Sequence, residues 1–413
     1  MNRLDRMNTR AHLVCGAVQL RTQTGFSLIE LMVGLVIGLL STLVISTVLT
    51  AAEGQRRGTT QGADALITGS LALHAIQREV AVAGYGFSSE PNAIGCVLDA
   101  RFNGAPAAIG AAAPVLPQVL APVIITPGAA GASDQLRVLS SSKQISTNPA
   151  AGVPQVGFAV ATRTVAPNYA AGDTFYWVYS SLGTVPGDLM VSVVNTGSNC
   201  EMFQATGLTA RTVQRATVAP WNSAGFPTLG TQAPCVAGQG CAPINASGSL
   251  LVNMGTFNDL IFAVDGQQRL TMSQLNTALM TRTVSQLQGG IMQMKALYGW
   301  DTDGDGSVDT YNAVTPAPLV GNQGIWQNLV AVRIAVVARS AQYEKEEVTF
   351  RNPVWDVGTA AAVAGAVACG ESMCMELKVD GAADWKHYRY QVFDTLVPLR
   401  NQRWHSAIPV AAP

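Results

Sequence analysis

"TGFSLIELMVGLVIGLLSTLVIS", residues 24–46, is a long apolar run with one carboxylate, Glu30, near its start. From Leu31 to Ala52, 22 residues pass without a charged side chain, enough for one helix to span a bilayer. A secretory signal has a shorter apolar core ahead of a small-residue cleavage site, so this run reads as an anchor. Upstream, Arg3, Arg6, Arg10 and Arg21 stand against Asp5 alone. That bias predicts a cytoplasmic amino-terminal side and places everything after residue 52 outside the cytoplasm.

An acid at membrane depth costs about a few kcal/mol and calls for a partner, unless it sits close enough to the interface to reach headgroups. The residues before it favour a partner. Gly25-Phe26-Ser27-Leu28-Ile29-Glu30 resembles the processing site of type IV prepilins, in which a membrane aspartyl peptidase cuts after the glycine and methylates the new phenylalanine amine. The resemblance implies processing at Gly25 and Phe26, a prepilin peptidase as first partner, and a role for Glu30 in subunit assembly. In that family the glutamate pairs with the cationic amino terminus of a neighbouring subunit as the helix leaves the bilayer. A charge whose counter-ion comes from another copy is tolerable in lipid and becomes an assembly signal. Gly25 also fits, because a residue without Cβ lets a protease approach the backbone closely.

The domain plan follows: residues 1–25 a cleaved leader, 26–84 one helix with a transmembrane first part (26–52) and an amphipathic second part (53–84), and 85–413 a β-rich extracytoplasmic globular domain. In the second part of the helix, Leu66, Gly69, Leu73, Ile76, Val80 and Ala83 recur at steps of three and four and predict one apolar stripe. Gly84 and Gly86 are its stop signal. Gly54, Gly58 and Gly62 weaken the middle, where a local melt is expected. The expected fold class is therefore α+β, type IV pilin-like, with a long helix packed on a β-rich domain.

Beyond residue 85, "LRVLS", "TFYWVYS", "DLMVSVV" and "LIFAV" read as strands. Val332, Ile334 and Val336, and later Tyr388, Tyr390 and Val392, alternate with other residues and predict two half-buried strands. The Pro- and Ala-rich stretch 104–132 predicts an irregular surface excursion. A second helix is expected over Val284, Leu287, Ile291, Met294 and Tyr298, ending at Gly299.

Cys15 leaves with the leader, and six cysteines remain. An even number in an oxidising compartment suggests disulfides, and the simplest of the fifteen connectivities is Cys235–Cys241, Cys369–Cys374 and, by default, Cys96–Cys200. Metal binding competes weakly, since no spacing brings a histidine pair or a second CxxC. Without the leader the chain keeps 21 of its 25 Lys+Arg and 25 of its 26 Asp+Glu, a charge of about -4, which does not favour nucleic acid. His74, His387 and His405 remain, with no G-x-S-x-G or HExxH among the motifs, so no enzyme is expected.

"DTDGDGSVDTYN", residues 301–312, puts Asp301, Asp303, Asp305 and Asp309 at positions 1, 3, 5 and 9 of a calcium-type loop. Gly306 sits at the turn, and Ser307 offers its carbonyl at position 7. Carboxylates so close repel unless a cation collects them, and Ca²⁺ is the expected cofactor. Asn312 replaces the usual bidentate Glu, and Pro316 and Pro318 oppose an exiting helix, which leaves open an acidic, solvated turn. The segments "MKALYGWDTDGDGSVDTY", "IQREVAVAGYGF", "LVAVRIAVVARS" and "HYRYQVFDTLVPLRN" together resemble the PilW-type minor pilins. That resemblance implies a low-abundance subunit that helps to initiate type IV pilus assembly near the tip. Its expected partners are other minor pilins, the major pilin and the inner-membrane assembly platform. It implies an inner-membrane, single-pass location with a periplasmic domain before assembly, and the fibre afterwards. A minor pseudopilin of type II secretion is the alternative.

Overall fold

The computed structural model describes residues 25, 27–88, 90–108, 111, 114–143, 161–163, 174–193, 199–217, 219–222, 250–318, 323–359 and 363–402. Two compact units divide the chain at Thr59/Thr60, and one helix, Leu28–Ala81, crosses that division. In the first unit its apolar residues are exposed, and Leu28–Glu53 is long and apolar enough to cross a membrane, with a mean hydropathy of 2.5. The helix runs unbroken past Gly54, Gly58 and Gly62, so the expected melt is not there; a glycine costs about 1 kcal/mol in a helix without abolishing it.

The second unit is α+β. Its part of the helix buries Ala65, Gly69, Ala72, Leu73, Ile76 and Val80. The expected stripe is corrected at its start, where Ala65 is buried and Leu66 is 46% exposed. The helix approaches a four-stranded sheet closely: a Cβ on Gly69 would collide with the Phe393 ring. The chain leaves the helix through Gly84 at φ 76°, a left-handed exit that glycine adopts without strain. The side-chain amide of Asn401 donates to the carbonyls of Val82 (3.1 Å) and Ala83 (3.0 Å), satisfying acceptors that a helix end leaves over.

That four-stranded sheet runs in the order Thr310–Asn312, Ile291–Trp300, Leu329–Arg339, Tyr390–Pro398. A five-stranded antiparallel sheet holds Thr281–Gly289, Arg269–Asn276, Asn258–Val264, Gln135–Ser140 and Val123–Thr126. In the third large sheet Cys96–Phe102 pairs in parallel with Asn199–Gln204, and the Cys96–Cys200 disulfide joins these two strands. One core collects Ile76 and Val80 from the helix with Leu98, Phe262 and Ile334 from the three sheets.

Three expectations are corrected here. Residues 284–299 form no helix but two strands, Thr281–Gly289 and Ile291–Trp300, turning at Gly290 with φ 73°. The second strand is buried on both faces, so it lacks the alternation that marks a half-exposed strand. Leu329–Arg339 is likewise not half-buried: Val332 and Ile334 face the main core, while Ala335 and Val337 face a second cluster around Trp355 and Leu377. The stretch 104–132 is no surface excursion; Leu116, Leu120, Val123 and Ile125 are fully buried or nearly so, as its low charge permits.

Candidate assembly site and aspartate loop

Gly25, in the first unit, is exposed and has open space where a Cβ would stand. Phe26 lies outside the described residues. Helix Leu28–Ala81 starts one residue after Ser27, and the Glu30 carboxylate accepts a hydrogen bond from the Ser27 N–H at 3.1 Å. Ser-x-x-Glu at a helix start is a capping box, in which the glutamate satisfies a backbone donor left over by the first turn. Glu30 therefore has a local partner in the single chain, worth about 1 kcal/mol, as well as any partner in another subunit.

In the second unit the aspartate loop joins the antiparallel strands Ile291–Trp300 and Thr310–Asn312, so it closes a hairpin rather than following a helix. Backbone bonds from Asp301 N–H to the Asn328 carbonyl and from Asp309 N–H to the Trp300 carbonyl, both 2.9 Å, fix its two ends. Gly304 and Gly306 take φ of 84° and 85°, bending the chain so that their N–H groups donate to the two oxygens of Asp301 at 2.6 and 2.7 Å. Oxygens of Asp301, Asp303 and Asp309 lie within 4.8 Å of one another. Asp305 is not in that group; its carboxylate accepts from the Ser307 N–H at 2.6 Å. The Thr302 backbone N–H, seconded by its hydroxyl, holds the Asp309 carboxyl below the usual carboxylate range. Three hard oxygen donors in such a cluster fit Ca²⁺ in kind.

The disulfides Cys96–Cys200 and Cys369–Cys374 are formed, each with Cα atoms 5.7 Å apart. Cys235 and Cys241 lie outside the described residues.

A group beside the first disulfide was not legible as a site. Asp99 and Glu201 face each other in the parallel ladder, 7% and 1% exposed. Arg215 reaches Glu201 at 3.2 Å, while Asp99 Oδ1 has no hydrogen-bond partner among the described residues. Burial, reinforced by the Glu201 charge, pushes the Asp99 carboxyl up to about 7. Glu201 is pushed up by burial as well, with Arg215 pulling it back. The only sequence signal is an acid inside each of the apolar runs "CVLDA" and "CEMF".

Residues 20–52 match the prokaryotic N-terminal methylation motif, and residues 261–401 match the family model of type IV pilus-assembly protein W. The two matches support a PilW-type pilin. For a PilW-type pilin, the methylation motif marks a prepilin peptidase substrate bound for pilus assembly, and the apolar helix Leu28–Glu53 is consistent with membrane anchoring. The PilW match takes in the hairpin that carries the aspartate loop, the strand Leu329–Arg339 and Asn401. Residues 53–260, with the buried carboxylates, lie in neither match. No curated protein matches the chain.

Proposed function

We propose that this minor pilin helps to initiate the type IV pilus and takes a place near its tip, as a structural subunit rather than an enzyme. The observation that carries the reading is the presence on one chain of the methylation motif at 20–52 and the PilW match at 261–401. The second of these favours the pilus over a type II secretion pseudopilus. The Arg-rich leader supports a cytoplasmic amino terminus, which puts the second unit in the periplasm, folded in a pilin-like way, until the platform passes the subunit to its neighbours. Glu30 is the residue through which the helix pairs with the methylated amine of another subunit. The aspartate loop holds one Ca²⁺ through Asp301, Asp303 and Asp309, with the Ser307 carbonyl available and Asp305 bracing the turn.

The capping box dictates the test. Glu30→Gln keeps an acceptor for the Ser27 N–H and loses the charge, whereas Glu30→Ala loses both. Both variants are expected to be processed normally, and both to leave cells with few surface pili by electron microscopy. Normal pilus numbers with Glu30→Gln would reduce Glu30 to a helix cap and remove the assembly role.

A further inference from the structure

One end of the five-stranded sheet carries a concavity of about 380 Å³, within the range of small-ligand sites. Its wall comes from Ser142, Thr256, Asn258, Gln274, Asn276 and Thr283, with Thr277 and Ala278 closing the turn. Among the described residues, no acidic, basic or histidine side chain lines it. A site for a metal ion, a phosphate or an amine would need a charge of opposite sign. A lipid site would need an apolar wall, and the large apolar residues here, Phe257 and Leu275, are 1% and 6% exposed.

Much of the rim is fixed in advance. The Thr256 backbone N–H and hydroxyl both donate to the Ser142 hydroxyl, at 2.8 and 2.9 Å. The Thr277 hydroxyl donates to the Thr256 carbonyl at 3.0 Å. Asn276 Oδ1 accepts from the N–H groups of Ala278 and Leu279 at 3.0 and 3.2 Å. Phe257 and Met280 are held at φ of 55° and 53°, a left-handed strain that persists only where the surroundings over-determine the backbone. Against this rigid frame stand two side chains directly opposite each other in the ladder, Gln274 and Thr283. Both are exposed, and neither side chain makes a hydrogen bond among the described residues. A primary amide offers two donors and an acceptor, and a hydroxyl can do either.

We infer that this concavity is a binding site for a neutral saccharide, whose adjacent hydroxyls exchange hydrogen bonds with the Gln274 amide and the Thr283 hydroxyl. A peptide fits less well. The strand Arg269–Asn276, which carries Gln274, is paired on both sides, so strand addition could use only Thr281–Gly289, the edge strand beside it among the described residues, and a peptide added there would bond through its backbone without using the Gln274 amide.

The test is saturation-transfer NMR on the detergent-solubilised full chain with galactose, mannose, N-acetylglucosamine and lactose. Glucuronate and an acetylated, amidated Ala-Ser-Gly tripeptide serve as controls. At least one neutral sugar is expected to bind saturably, with neither control competing. Gln274→Ala and Thr283→Val should each weaken that binding at least tenfold, with circular dichroism unchanged because both positions are exposed. Absence of binding by all four sugars, binding unaffected by both variants, or binding of the tripeptide instead would overturn the assignment.

Discussion

Replacing Asp99 by asparagine should stabilise the protein, and by more at pH 8 than at pH 5. The native carboxyl is pushed up to about 7 by burial and by Glu201, from an ordinary value of 3.8. Below pH 3.8 it is protonated in both folded and unfolded chains and carries no penalty. As pH rises toward 7 the unfolded chain releases the proton while the native chain keeps it, so stability drains away, and above about 7 the loss is complete. At roughly 1.4 kcal/mol per pH unit, the full loss is on the order of 4 kcal/mol, of which about 2–3 kcal/mol falls between pH 5 and pH 8. The variant, neutral throughout, escapes that slope. Urea unfolding of the detergent-solubilised chain, followed by tryptophan fluorescence at pH 5, 6.5 and 8, measures the difference. The variant's advantage should widen by about 2–3 kcal/mol across the series. A constant difference would mean that Asp99 is ionised in the native state throughout, and that water or Arg101 solvates it well enough to undo the argument.

Gly25→Val should leave the precursor uncut, seen as a larger band in inner-membrane fractions; a normal amino terminus by mass spectrometry would refute the processing assignment. Replacing Cys96 and Cys200 together by serine opens a loop with a sequence separation of 104 and should cost about 4–5 kcal/mol, read as a lower urea midpoint. Ca²⁺ at about 1 mM should stabilise the chain by about 0.4–1.4 kcal/mol if the loop binds in the 10⁻⁴–10⁻³ M range. Asp301→Ala should abolish that gain and Asp305→Ala should leave most of it; no calcium-dependent shift in calorimetry would reduce the loop to an acidic turn.

How far the sequence could be read depended on how many faces of an element are buried. Leu28–Ala81 was legible because its first part is apolar all round and its second part has one stripe, and even the misplaced Leu66 was off by a single residue. The strand Ile291–Trp300 was misread because both of its faces are covered, one by the main core and the other by the small sheet around Trp355. Its apolar residues therefore appear at every spacing, the helical one included. Gly290, inside the expected helix, is the turn between strands. At the aspartate loop the spacing identified the residues, but whether Asp305 joined the others depended on where Gly306 sent the chain. The buried pair Asp99–Glu201 could not be found from sequence, because the parallel register that brings the two together links segments about a hundred residues apart.

The bond from Asn401 to Val82 spans 319 positions of chain, and Gly69 waits slightly longer for Phe393. A ribosome delivers the helix first and its partners last. Until Tyr390–Pro398, the last of the described strands, emerges, Leu329–Arg339 presents an open edge, and the Ala83 carbonyl beyond the helix end lacks its Asn401 donor. Contacts so distant make closure slow and leave that edge available to other chains in the meantime. A truncated copy would thus keep the methylation motif and the apolar helix, yet lack the strand that covers the open side of Leu329–Arg339.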